Sequence, residues 1–175
     1  MKDTIVIHTL DVPIDWMQGR SVQEKVAEVK RWHIQERGWR DIGYAMVIDR
    51  DGSRGKGRDT DKDGDVFDET GAHAKGWNKR SIGIALVGGE GVSKNDPFDK
   101  NYTPEQRAAL WKTIHEIEAR FGAMEIKGHN EVSSKACPGF WVPDFIAEGE
   151  AKPAAKAGLI ALLIAFIAKL FGGKK

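Results

Sequence analysis

The chain has 175 residues, 41% of them hydrophobic and 30% charged, which describes one soluble domain with a proper core and excludes a disordered chain. Its net charge of +1 hides an uneven distribution: residues 151–175 carry five lysines and no acid, while the rest of the chain holds 22 basic and 26 acidic groups. A near-neutral body has no electrostatic footprint for nucleic acid, and a single cysteine excludes an internal disulfide.

TIVIH, residues 4–8, is a short β-branched run and is predicted to be a buried strand. That run is too short for a secretory signal peptide. VQEKVAEVKRWHIQERG, residues 22–38, is predicted to be a helix, with Val22, Val26 and Val29 on one face and Gly38 as its stop. IGYAMVIDRDG, residues 42–52, reads as a strand entering a turn at Asp51-Gly52. SIGIALVGG, residues 81–89, is a strand ending in glycines. In TPEQRAALWKTIHEIEARFG, residues 103–122, Thr103 is an N-cap, Pro104 fits the first helical position and Gln106 completes a capping box. Trp111, Ile114, Ile117 and Phe121 form its apolar stripe, and Gly122 ends it. MEIKGH, residues 124–129, is a last short strand. Alternating strands and helices without a Gly-rich phosphate loop predict an α/β fold: one domain with a mixed central β-sheet flanked by helices. The expected division is a catalytic domain over 1–147, a linker over 148–157 and an apolar, cationic helical tail over 158–175.

Cys137 lies eight residues after His129, in GHNEVSSKACPGF. A lone thiol can be a small core residue, a nucleophile or a metal ligand. Cys137 and His129 offer two metal ligands from one loop. His8, at the end of the first strand, is placed where open α/β sheets put their sites. His33 and His115 fall within predicted helices and are expected to be solvated.

The blocks IVIHT, RGWRDIGYAMVIDRDG, GRD, GAHAKGWNKRSIGIALVGG, FDKNYTPEQ and GHNEVSSKACPGF together resemble the type-2 N-acetylmuramoyl-L-alanine amidases. That family includes lysozyme-like bacteriophage endolysins, and the animal peptidoglycan-recognition proteins share its fold. The similarity runs over residues 4–145 in family order. It implies a peptidoglycan substrate and a zinc site at His8, His129 and Cys137. It also implies a catalytic tyrosine at Tyr44 and a catalytic lysine at Lys135. His73 matches a block bordering the substrate groove, with Trp77 and Asn78 beside it as substrate contacts. The endolysin resemblance further implies a monomer made in the host cytoplasm without a signal peptide and acting on the periplasmic wall. H-x-E at Glu131 also occurs in zinc deaminases, but their P-C-x-x-C partner is C-P-G-F here, so Glu131 is expected to be structural.

Two stretches lie outside that resemblance. Asp59, Asp61, Asp63 and Gly64 match the first half of a calcium loop, with Asp65 following, but the twelfth position is Thr70 and Glu69 comes one place early. A solvated acidic turn and a weak Ca2+ site both remain open. In the tail, residues 157–168 are uninterruptedly apolar or small and span about 18 Å as a helix, short for a membrane core of about 30 Å. Lys156 and Lys169 flank them. A membrane-active segment over 158–171 is the expectation, against a self-associating helix or one docked on the domain.

Overall fold

A computed structural model describes residues 2–149. Its five-stranded sheet runs β3-β2-β4-β1-β5, with β1 at Thr4–Thr9, β2 at Met46–Ile48, β3 at Arg54–Lys56, β4 at Ser81–Leu86 and β5 at Glu125–Gly128. β1 pairs in parallel with β4 and β5, β2 pairs in parallel with β4, and only the β2-β3 hairpin is antiparallel. The sheet is therefore mixed, as expected. β1 and β4 are buried at every residue, because helices cover both of their faces.

Each face packs on one long helix. α1, Val22–Arg31, starts at a Ser21/Glu24 capping box; it buries Val22 beside Gly55 of β3 and Val29 in a cluster with Val47 and Val87. α3, Pro104–Phe121, follows the short α2, Phe98–Asn101. It carries the Thr103/Gln106 capping box and ends at Gly122, whose φ of +85° suits glycine. Its Leu110, Ile114 and Ile117 are fully buried against Ile5, Ile7, Ile82 and Ile84; each such side chain contributes about 2 kcal/mol.

The first helix does not run on to Gly38 as an α-helix. After Arg31 it widens into a π-helical turn, Trp32–Glu36, in which the Arg37 amide reaches back five residues to the Trp32 carbonyl. His33 itself lies about three helical turns after Val22, on the face that also buries Val22 and Val29. The imidazole is buried, contrary to the solvated position expected of it.

After β5 the chain makes a single turn, α4 (His129–Val132), then a loop and α5 (Val142–Glu148). Glu131 accepts the Gly128 amide at 2.7 Å, the structural role expected of it. The loop is pinned at several points. The Tyr102 hydroxyl donates to the Pro138 carbonyl at 2.6 Å, and the Asn130 amide donates to the carbonyls of Lys94 and Phe140, both at 3.0 Å. The expected linker beyond Gly149 and the tail helix at 158–175 lie outside the described residues. Among the described residues, no helix is long and apolar enough to cross a membrane.

Candidate active site

Strand register brings the first two site residues together. In the β1-β5 pair Ile7 stands opposite Gly128, so the next residues, His8 and His129, emerge side by side at the carboxyl edge of the sheet. Their ring centroids are 4.5 Å apart. Strand alternation sends Ile5 and Ile7 to the α3 face and His8 to the other. The pinned loop then brings Cys137 in from the side. Its sulfur accepts the Thr9 amide at 3.2 Å and lies 3.7 Å from His8 Nδ1. One donor atom from each of His8, His129 and Cys137 lies within 4.8 Å of the others.

This donor set fits a metal ion of the zinc type. Two imidazoles and a thiol are the N and S donors that zinc takes, and three protein ligands leave a position open for water. The electrostatics agree. Burial, then the neighbouring His73 and His129, hold the His8 pKa well below the ordinary histidine value, so the ring is neutral and free to ligate. His129 is lowered too, by burial and by Lys135. Burial pushes the Cys137 thiol up to about 12, while the Thr9 amide and the Lys135 ammonium pull the other way. A bound cation would deprotonate it.

The three residues line a cleft of about 470 Å³. Tyr44 and Lys135 line it with them, as does His73. The Tyr44 ring stands 5.2 Å from that of His8. Burial and the nearby Cys137 raise the phenol above its ordinary pKa, so Tyr44 is a proton donor at neutral pH. Lys135 is exposed at the rim. His73 hydrogen-bonds His8, with Nδ1 3.0 Å from His8 Nε2. Its ring fits because residues 71 and 83 are glycines: a Cβ on Gly83 would sit 2.5 Å from the imidazole, and one on Gly71 2.6 Å.

The opposite wall comes from residues that the sequence reading left out. His33 accepts the Gly43 amide on Nδ1 at 3.0 Å and packs on Trp39 and Tyr44, with ring centroids 4.6 and 5.5 Å away. Burial, then Arg37 and Arg58, bring its pKa down to about 4. Arg37 lies over the Trp39 ring, 5.6 Å from its centroid. His33, Arg37 and Trp39 all line the cleft. The available signal was the helical period: His33 continues the Val22, Val26 and Val29 stripe, at i+11 from Val22.

Two other expected contacts do not reach this cleft. The Asn78 carboxamide accepts the backbone amides of His73 and Ala74, both at 2.9 Å, so it braces the loop that carries His73. Trp77 lies under Arg80, 5.0 Å from ring centroid to guanidinium. The acidic stretch forms an exposed turn. Asp59, Asp61 and Asp63 come within 4.8 Å of one another, as do Asp63, Asp65 and Asp68, and Asp65 is also ion-paired to Arg120. The carboxylates are bonded mainly to the turn's own amides, such as Gly64 N–H to Asp59 at 3.1 Å and Asp65 N–H to Asp63 at 2.7 Å. The bonds are those of an Asx-rich turn, with one Asp59 oxygen buried and left without a partner among the described residues, and the turn carries no calcium assignment.

The chain belongs to the N-acetylmuramoyl-L-alanine amidase family Amidase_2, whose match covers residues 2–140. It is an enzyme of that amidase class. Among phage proteins it is similar to the endolysin of Enterobacteria phage K11, 39% identical over 125 residues, which are 71% of this chain and 76% of the relative. Among solved structures it resembles the N-acetylmuramoyl-L-alanine amidase LysC from Clostridium intestinale URNW, with a TM-score of 0.62 at 25% identity over 86% of this chain and 87% of that one. It also resembles wild-type Drosophila PGRP-LB, with a TM-score of 0.66 at 25% identity over 85% and 81%.

Proposed function

We propose that the chain is an endolysin-type amidase using one zinc ion held by His8, His129 and Cys137. It would cleave the amide between the lactyl group of N-acetylmuramic acid and L-alanine of the stem peptide, acting on the wall from inside the host. The observation that carries this reading is the convergence of two imidazoles and one thiol, from separate parts of the chain, within 4.8 Å at the floor of a cleft. Zinc, when bound there, supplies a Lewis acid for the carbonyl and a water of lowered pKa. Attack on the carbonyl puts negative charge on its oxygen. Tyr44, kept protonated by burial, and the Lys135 ammonium are the donors assigned to that charge. His33, Arg37 and Trp39 suit the peptide arm, offering an aromatic face and a guanidinium for its carboxylates.

The test is digestion of purified sacculi with and without a zinc chelator, assaying new L-alanine amino groups and new reducing ends. Chelator-sensitive release of amino groups alone is expected. Reducing ends would overturn the site assignment, and tight binding to sacculi with neither product would make the chain a recognition module.

We assign residues 158–171 a membrane-active role as part of the same reading, on sequence grounds. An apolar run flanked by lysines, on a body that is otherwise slightly acidic, suits an anionic bilayer. Deleting 150–175 is expected to lower binding to anionic liposomes at least about tenfold while leaving hydrolysis of sacculi unchanged, since the cleft lies wholly within the described domain. Equal liposome binding by the truncated chain would remove the assignment.

A further inference from the structure

The hydrogen bonds behind His8 fix where its proton sits. Ser81 is the starting point. Its hydroxyl has one hydrogen, and the Trp77 carbonyl takes it at 2.8 Å. The same oxygen lies 3.4 Å from His73 Nε2 and can only accept there, so His73 carries its proton on Nε2. His73 Nδ1 is then a bare lone pair. It faces His8 Nε2 at 3.0 Å, which requires a proton on His8 Nε2. What remains on His8 is the Nδ1 lone pair, and that atom is the one 3.7 Å from the Cys137 sulfur.

We propose that His73 is a positioning residue. Through the chain Trp77 carbonyl–Ser81–His73–His8, it holds His8 in the Nε2–H tautomer and aims the Nδ1 lone pair at the metal position. The inference rests on the zinc reading above. The alternative tautomer would place a hydrogen on the donor atom itself and leave two lone pairs facing each other at 3.0 Å. The packing serves this arrangement. Glycines at 71 and 83 seat the ring, and Asn78 fixes the backbone that bears it.

The experiment measures Zn2+ affinity of the full chain by chelator competition at neutral pH, for the wild type, His73→Ala and His73→Asn. His73→Ala is expected to bind Zn2+ about 10- to 100-fold more weakly, the usual cost of losing a hydrogen-bond partner behind a ligating histidine. His73→Asn is expected to retain most of the affinity, because its carboxamide oxygen can accept from His8 Nε2–H and its NH2 can donate towards Ser81. Wild-type affinity in His73→Ala, or equal loss in both variants, overturns the proposal. A measurement on the wild type alone keeps it testable should a variant fold poorly. Long-range 1H–15N correlation of the metal-free chain should show His8 protonated at Nε2, and protonation at Nδ1 overturns the inference. A wild type that binds no Zn2+ would instead overturn the zinc reading.

Discussion

Cys137→Ser is expected to lower amide hydrolysis of sacculi by at least about 10³-fold and to abolish tight Zn2+ binding, while leaving the metal-free fold close to wild type. The sulfur supplies the only soft donor of the three and the only one that becomes an anion when it ligates. A serine hydroxyl has nearly the same shape but keeps its proton, and an alcohol is a poor ligand for zinc. A loss of 10³ corresponds to about 4 kcal/mol of transition-state stabilisation, within what a Lewis acid at a carbonyl supplies. The fold should tolerate the change. The loop that carries Cys137 is held by Tyr102 on Pro138 and by Asn130 on Phe140, and serine can still accept the Thr9 amide. Comparing metal-free melting temperatures separates the two effects. A variant that keeps activity within tenfold of wild type would show that the thiol is not a ligand.

Tyr44→Phe and Lys135→Ala should each lower kcat by about 10²- to 10³-fold, with small changes in KM and with Zn2+ affinity retained. Both groups line the cleft beside the donor cluster, and both are donors. Their hydrogen bonds strengthen as charge leaves the scissile bond for the carbonyl oxygen, so the loss falls on the transition state. Lys135 is exposed, and its truncation should cost no stability beyond about 0.5 kcal/mol. Tyr44→Phe keeps the ring packed between His8 and His33 and removes only the hydroxyl. Steady-state kinetics on a soluble muropeptide decide the matter. A rise in KM at unchanged kcat would make either residue a binding group.

Elements with strong local signals were legible in the sequence. The α3 helix carries its own start at Thr103, Pro104 and Gln106 and its own stop at Gly122, and the structure ends it within a residue of each. β1 and β4 were visible as β-branched runs. What local pattern does not contain is the pairing of β1 with β5, which brings residues 8 and 129 together. Beforehand, only the strand-end position of His8 and the family resemblance joined it to His129 and Cys137. The His33 wall stayed hidden for another reason. His33 continues the stripe of Val22, Val26 and Val29 at i+11 from Val22, so a period of 3.6 already puts it on the buried face; taking a polar imidazole within a helix as solvated overlooked that stripe. Asn78 and Trp77 were drawn towards the cleft by adjacency to His73, yet the turn that seats His73 spends Asn78 on backbone amides.

The placement of the three donors also bears on how the chain is held together. His8 belongs to the first strand and Cys137 to the last loop, 129 residues apart in sequence. An ion shared between them, as proposed, acts as a reversible staple across nearly the whole domain, closing the long kind of loop for which a cross-link restricts the unfolded chain most. The unfolded chain keeps only His129 and Cys137 near each other, so it offers a poor competing site. The difference in affinity therefore appears as folding stability, growing with the logarithm of free metal. One feature would thus make the cell-wall enzyme active and hold its amino-terminal strand in the sheet, so that metal starvation weakens its architecture together with its chemistry.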